Sequence, residues 1–113
     1  MSPDLNIKLK VKPIRDIIDQ ALKHACTREY SEQAAKTMVM NATTTIHREI
    51  KTLKLDRYKT VRHVFVGENG QHDLKHASKC LWDASKDTVV DSFLVRKDRN
   101  LVAFGTVYCV YFE

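Results

Sequence analysis

The sequence predicts an α+β fold, with two N-terminal helices packed on one face of a four-stranded antiparallel sheet. Three observations support this prediction. Apolar residues recur with helical period through the first half of the chain and with strand period through the second. The helices precede the strands instead of alternating with them, which is typical of α+β proteins. The chain has 113 residues, which is enough for one domain.

An N-terminal arm, residues 1–12, precedes the domain, which we place at residues 13–113. Within residues 5–12 every second residue is apolar, and this alternation predicts an amphipathic strand. The residues on its apolar face are Leu5, Ile7, Leu9 and Val11. An isolated strand is not stable in water. The arm therefore either docks on a sheet or on a partner chain, or remains a mobile tail.

The first predicted helix begins at Pro13, a residue that suits the first helical position because its missing N–H has no partner to lose there. One apolar stripe then follows at helical spacing. Its residues are Ile14, Ile17, Ile18, Ala21, Leu22 and Ala25. The stripe predicts an amphipathic helix that buries this face.

The second predicted helix has Ser31 as its N-cap and Glu32 in its first turn, where a carboxylate suits the positive end of the helix dipole. The run Thr43–Thr45 has poor helix propensity. An apolar stripe nevertheless continues on both sides of it, through Ala35, Met38, Val39, Ala42, Ile46, Ile50 and Leu53. We therefore predict one long helix.

Four strands follow, separated by turns at Glu68–Gly70 and Asp98–Asn100. They are predicted at Tyr58–Val66, Leu74–Trp82, Thr88–Val95 and Leu101–Phe112. Leu74–Trp82 has one polar face, as an edge or interface strand would. The last strand is apolar on both faces, which places it at the sheet centre with both faces covered. Two helices cover one face, and a second copy is the simplest cover for the other.

Cysteine usage and hydropathy indicate an intracellular, soluble protein. Cys26, Cys80 and Cys109 form an odd, widely spaced set, which fits free thiols in a reducing compartment. No segment resembles a signal peptide, and no apolar run approaches the roughly 18 residues that span a bilayer. The net charge of +5 comes from scattered lysines and arginines. The best explanation of this charge is a solvated basic surface. Binding to an acidic protein partner is the second explanation, and binding to nucleic acid is the third.

Catalytic and metal sites find little support. Cys80 shares a predicted strand face with His76, and His72 is a second candidate base, but no third orienting residue or oxyanion turn accompanies them. His63, His72 and His76 could suggest a metal site. On a strand, however, positions i and i+4 lie roughly 13 Å apart, and no HExxH motif is present. We expect a non-catalytic protein without metal or cofactor.

The glycines exclude a nucleotide-binding loop, because Gly67, Gly70 and Gly105 stand singly instead of at Walker or Rossmann spacing. What remains is the physics of sheet edges. A short sheet must cover its edges, exchange strands, or accept a strand from a partner. In strand addition, ladder hydrogen bonds provide affinity and side-chain pockets provide selectivity. The pattern favours this function class.

The segment His76–Ser85 reads His-Ala-Ser-Lys-Cys-Leu-Trp-Asp-Ala-Ser. It resembles the Tctex-type dynein light chain family, whose members carry a Cys-aromatic-Trp-Asp segment on the second strand; Leu81 replaces the usual aromatic residue. Asp56–Val61 with Val66–Glu68 resembles the first strand of the Tctex-2-like branch. Leu101–Tyr108 resembles the closing strand, although the family more often has its Phe-Gly pair further along. From Pro13 onward most of the chain fits.

The resemblance implies a dimer in which the second strand, about Gln71–Trp82, crosses to the sheet of the other subunit after the turn at Asn69-Gly70. The outer edge of that strand would receive an extended segment of a dynein intermediate chain. Lys75 and Lys79 would then meet acidic groups on the segment. The implied dimer and docking residues are Gln71, Leu74, Lys75, His76, Ala77, Ser78, Lys79, Cys80, Leu81 and Trp82.

The resemblance further implies a non-catalytic light chain of an axonemal outer-arm dynein, located with the cytoskeleton in the cytoplasm and cilium. Its partners would be the intermediate chain, other dynein subunits, and either itself or another Tctex-type light chain. We expect no nucleic-acid or membrane partner. One alternative is a light chain of cytoplasmic or intraflagellar-transport dynein that acts as a cargo adaptor. An alternative from a different class is a basic nucleic-acid-binding domain.

Overall fold

The computed structural model of the chain describes residues 10–55, 58–70 and 87–111. The elements are α1 (Val11–Ala25), α2 (Glu32–Lys51), β1 (Tyr58–Glu68), β2 (Asp87–Arg96) and β3 (Leu101–Tyr111). This arrangement confirms the α+β class. The described sheet has three strands where four are predicted. The remaining predicted strand, Leu74–Trp82, lies outside the described residues, as does the strand exchange expected of it.

Helix α1 begins at Val11, two residues before the predicted start. Val11 packs against the core because it lies three residues before Ile14 and so extends the same stripe. The predicted arm strand is therefore wrong for Val11 and Lys12, and its other residues lie outside the described chain. Pro13 stands in the first turn, where backbone N–H groups have no partner within the helix. The predicted stripe is confirmed, with Ile14, Ile18, Ala21 and Leu22 fully buried.

Helix α2 begins as predicted. The Ser31 side chain accepts a hydrogen bond from the Ala34 N–H at 3.0 Å, which confirms the N-cap. The helix continues without a break through Thr43–Thr45 and ends at Lys51. Leu53 therefore lies just beyond the helix, although it still packs against the core. Burial of the stripe outweighs the weak helix propensity of the three threonines.

The sheet is antiparallel with strand order β1-β3-β2, so the closing strand occupies the centre as predicted. Alternate residues of β3 face the helices and are completely buried, namely Leu101, Ala103, Val107 and Cys109. The other alternate set faces away from the helices. In this set Phe104 pairs in register with Phe65 on β1 and with Phe93 on β2. The helices therefore cover one face of the sheet.

The turn between β2 and β3 and the end of β2 form hydrogen bonds with the end of α1 and with the loop that follows it. The 3-10 segment of this turn, Lys97–Arg99, ends at Asn100, which adopts a left-handed conformation with φ 53°. The Arg99 carbonyl accepts a hydrogen bond from the Tyr30 N–H at 2.9 Å, in the loop before α2. The Arg96 guanidinium donates to the carbonyl of Lys23 at 3.5 Å, near the C-terminal end of α1. In the described part of the chain, neither helix is long and apolar enough to span a membrane.

Candidate functional site: two docking surfaces

The ten residues predicted to form the dimer and docking strand all lie between Gln71 and Trp82, outside the described residues. The structure therefore leaves this prediction untested. It does describe two surfaces that a docking strand or a second copy could use. One lies between α2 and β1, and the other is the sheet face opposite the helices.

The first surface is a groove of about 550 Å³ between α2 and β1, called here the α2–β1 groove. Among the described strands β1 pairs on one side only, with β3, so the groove runs along an edge of the described sheet. Its lining is mostly apolar. The lining residues are Ala35, Lys36, Val39, Met40, Thr43, Thr44, Val64, Phe65 and Val66. An apolar groove beside a strand edge can accept an extended segment.

The helical wall of the groove follows from spacing along α2. Lys36, Met40 and Thr44 recur every four residues and so form a row beside the buried stripe. Met40 is 68% exposed, unusually open for a large apolar side chain. Thr43 and Thr44 add methyl and hydroxyl groups to the same wall. Sequence reasoning assigned the core stripe and missed this row, although an apolar Met one position off the stripe was an available signal.

Basic side chains lie beyond Thr44, the last helical residue that lines the groove. His47 and Lys51 follow on the same helical row, and Arg62 follows Val64 on the helix-facing side of β1. The Arg62 guanidinium lowers the pKa of His47, and partial desolvation and the charge of Lys51 act in the same direction. Arg62 and Lys51 therefore both lie close enough to His47 to interact with it electrostatically. We call these three side chains the basic cluster.

The basic cluster lacks acidic partners in the described part of the chain. The ion pairs found there involve other side chains. Two lie on α1, one joins Arg48 to Glu49, and one joins Arg99 to Asp98. The Nε atom of Arg62 is buried and has no hydrogen-bond partner. A buried donor without a partner carries a free-energy cost that a bound acceptor would remove. Sequence reasoning missed this cluster, because its members come from two elements that meet only in the fold.

The second surface is the sheet face opposite the helices, called here the outer sheet face. Four of its apolar side chains are exposed, namely Val61, Phe93, Val95 and Val110. Phe93 is the most open of them, at 64% exposure. Between them lies Thr106, which is buried and whose hydroxyl has no hydrogen-bond partner among the described residues. An exposed apolar patch of this kind marks an interaction surface.

The thiols that the structure describes are packing groups. Cys26 and Cys109 are both free and buried. Burial raises the pKa of Cys109 to about 11. Burial also raises the pKa of Cys26, although the charge of Arg96 opposes that rise. Neutral buried thiols are poor nucleophiles and poor metal ligands.

The predicted Cys80, His72 and His76 lie outside the described residues. His63 is exposed, in register with Thr106 on the outer sheet face. Within residues 10–55, 58–70 and 87–111, no group of three or more His, Cys, Asp or Glu side chains could hold a metal ion. Neither described surface carries a paired nucleophile and base, and both are suited to binding protein.

The family profile described as "Tctex-1 family" matches residues 8–110. Human "Dynein light chain Tctex-type 5" is 29% identical over 100 residues, which cover 88% of this chain and 53% of that protein. Human "Dynein light chain Tctex-type protein 2B" is 27% identical over 111 residues, covering 96% of this chain and 78% of the relative.

A third relative is mouse "Dynein light chain Tctex-type 4", which is 30% identical over 99 residues. These residues cover 83% of this chain and 44% of that protein. The chain thus spans about half the length of the Tctex-type 5 relatives it matches, at 53% in human and 54% in Xenopus laevis. The family match over residues 8–110 includes both helices, β1, β2 and all of β3 except Tyr111.

Proposed function

The chain belongs to the Tctex-1 family, and on that basis we propose that it is a non-catalytic dynein light chain that dimerises and binds a dynein intermediate chain by strand addition. The observation that carries the proposal is the family match over residues 8–110. The names of the relatives support it, since those described above are all Tctex-type dynein light chains. We further propose that the dynein is axonemal, of the outer arm.

Dimerisation is supported by the outer sheet face. The helices cover one side of the sheet, and Val61, Phe93, Val95 and Val110 remain exposed on the other. A sheet generally buries its apolar face against a second layer. A second copy related by a two-fold axis, or another Tctex-type light chain, would provide that layer with a matching surface.

A row of polar residues crosses the same face and would help to align the two copies. His63, Thr106 and Asp91 lie side by side in register on β1, β3 and β2. The Thr106 hydroxyl is buried without a hydrogen-bond partner in the described chain. Leaving such a group unsatisfied costs about 1–3 kcal/mol. A partner face with the same row would offer donors and acceptors at this position.

Strand addition is supported by the α2–β1 groove and by the position of β1 at an edge of the described sheet. In the proposal, the segment Gln71–Trp82 crosses to the partner and extends its sheet beside β1. The intermediate-chain segment then pairs with the outer edge of that exchanged strand, facing α2. Main-chain hydrogen bonds would provide affinity, and the row Lys36–Met40–Thr44 would contact the side chains of the segment.

Affinity purification of the tagged chain from ciliated cells tests the proposal. We expect intermediate chains of outer-arm dynein to co-purify with wild-type protein and with Ala77→Ser. Ala77→Pro should lose them, since proline removes a ladder donor from the proposed exchanged strand. Capture by Ala77→Pro at the wild-type level would contradict strand addition. Recovery of cytoplasmic or intraflagellar-transport intermediate chains alone would contradict the axonemal assignment.

A further inference from the structure

We infer that the α2–β1 groove selects an extended partner segment that carries an acidic side chain close to an apolar one, with the acidic group held by Arg62, Lys51 and His47. The inference rests on the proposed function, because it names the chemistry of the segment that docks there. The acidic group would be Asp, Glu or a phosphorylated residue. These groups present oxygen acceptors that match a guanidinium and an ammonium donor.

Charge complementarity supports this occupant. The apolar stretch of the groove at Met40 and Val64 is followed along α2 and β1 by the basic cluster, for which the described chain shows no acidic partner. The Arg62 guanidinium is the central element, because its Nε is buried and has no acceptor. A carboxylate bound at this position would satisfy that donor and offset the repulsion between Arg62 and Lys51, the two cations that act on His47.

The geometry of α2 sets the spacing within the segment. Along the helix, Met40 lies about 10 Å from His47 and about 16 Å from Lys51, at 1.5 Å per residue. An extended segment advances about 3.3 Å per residue, so the acidic residue should lie about three to five residues from the apolar one. The motif is therefore a short apolar stretch with one acidic end.

The proposed exchanged strand does not neutralise the basic cluster. The segment Gln71–Trp82 carries Lys75 and Lys79 against one aspartate, so it would leave the cluster without an acidic partner. Nucleic acid would match the charge. However, the groove offers Phe65 as its single aromatic lining residue, and its apolar wall offers nothing to a phosphate backbone. A protein segment uses both the apolar stretch and the charge.

Fluorescence polarisation with labelled model peptides tests the inference. The peptides have about ten residues of Val, Thr and Ser, long enough to span the groove. They carry two Glu at the N-terminal end, two Glu at the C-terminal end, or two Gln instead. We expect one of the Glu peptides to bind about tenfold more tightly than the Gln peptide, as for a hydrogen-bonded charge. Equal affinity for all three peptides would overturn the inference.

Two variants and a control locate the effect. Arg62→Gln should lower the affinity for the preferred Glu peptide about tenfold, and Lys51→Gln about threefold. Neither variant should change the affinity for the Gln peptide. Lys97→Gln makes the same charge change at an exposed lysine in the β2–β3 turn and should have no effect. If Arg62→Gln unfolds by circular dichroism, Lys51→Gln carries the test, since Lys51 is exposed. An equal loss in Lys51→Gln and Lys97→Gln would overturn the inference.

Two further outcomes separate this inference from the proposed function. If Lys51→Gln and Arg62→Gln still capture the intermediate chain at the wild-type level, acidic selection is wrong while strand addition stands. If the wild type captures no intermediate chain but prefers the Glu peptide, the proposed partner is wrong while the groove chemistry stands. A single-stranded oligonucleotide that displaces the Glu peptide with similar affinity would also overturn the inference, in favour of a nucleic-acid site.

Discussion

Gly105 of β3 lies directly against Ile18 of α1, so that a Cβ atom at position 105 would stand 2.7 Å from the Ile18 Cγ2 atom. Real Cβ contacts are essentially never this short, and Ile18 is completely buried and cannot move into solvent. The glycine therefore sets how closely α1 approaches the centre of the sheet. This close approach accounts for a glycine in the middle of a strand that is mostly β-branched and aromatic.

The first prediction concerns this contact. Gly105→Ala should lower the free energy of unfolding by about 1–3 kcal/mol, because the added methyl group overpacks the helix–sheet interface. In an Ile18→Ala background the clashing methyl group is absent, so the same Gly105→Ala change should cost much less. Urea denaturation of the four proteins gives the coupling energy. An equal cost of Gly105→Ala in both backgrounds would show that the contact is not the cause.

The role of Gly105 shows where sequence reasoning ends. Periodicity is a local property, so the helices, the N-cap at Ser31 and the central position of β3 are predictable from neighbouring residues alone. The close approach to Ile18 is a distance between elements far apart in the chain, and no local pattern encodes it. The isolated position of Gly105 argues against a nucleotide-binding loop, but its packing against Ile18 is visible only in the fold.

The candidate site was less predictable than the fold for the same physical reason. The basic cluster combines His47 and Lys51 from α2 with Arg62 from β1, which are brought together by the packing of those elements. Each residue taken alone resembles an ordinary solvated charge. The predicted docking strand, by contrast, came from a resemblance centred on Cys80–Asp83. It remains a prediction, because that segment lies outside the described residues.

The N-cap of α2 gives the second prediction. The Ser31 hydroxyl accepts from the Ala34 N–H, so Ser31→Ala should lower the free energy of unfolding by about 1 kcal/mol. Ser31→Asp keeps an acceptor and adds a charge that suits the helix N-terminus, so its stability should stay close to that of the wild type. Urea denaturation midpoints measure both changes. Equal destabilisation by Ala and Asp would argue against a capping role.

The third prediction separates the two docking surfaces. Phe93→Asp places a charge on the outer sheet face and should convert the proposed dimer to monomer by sedimentation velocity, with little loss of fold, since the side chain is exposed. Met40→Asp makes a matched change at a similarly exposed apolar residue, but in the α2–β1 groove. It should leave the proposed dimer intact and weaken binding of the Glu peptide. Loss of the dimer in both variants would contradict separate roles.

Alkaline titration provides the fourth prediction. The pKa of Cys109 in the folded chain is about 11, against an ordinary value of 9.0, so between these values the folded state retains a proton that the unfolded state releases. The contribution of the protonated Cys109 thiol to the free energy of unfolding is complete below pH 9 and is lost as the pH rises toward 11. The loss should approach about 3 kcal/mol for a shift of this size.

Cys109→Ala provides the control for this titration. It lacks this thiol but retains every other ionisable group of the chain. Its free energy of unfolding, measured by urea denaturation between pH 8 and 11, should fall less steeply than that of the wild type. Identical slopes for the two proteins would exclude Cys109 as a source of the alkaline destabilisation.

The last prediction follows from the lowered pKa of His47. The charge of Arg62 and, more weakly, that of Lys51 disfavour the protonated imidazole. Without a ligand, the unfolded chain takes up this proton at higher pH than the folded chain. Protonation of His47 therefore destabilises the fold as the pH falls below its ordinary value of 6.5. A bound acidic peptide reverses the sign, because its carboxylates favour the protonated imidazole. Affinity for the Glu peptide should then rise as the pH falls from 7.5 toward 5.

Fluorescence polarisation across this pH range measures the effect, and the range ends above the ordinary pKa of Glu, about 4.3, so that the peptide stays charged. His47→Gln removes the titrating group and keeps a polar side chain, so its affinity should be nearly constant with pH. The Gln peptide should show no dependence in either protein, because it presents no charge to the basic cluster. A rise of equal size in His47→Gln would assign the effect to another group and remove His47 from the acidic-segment site.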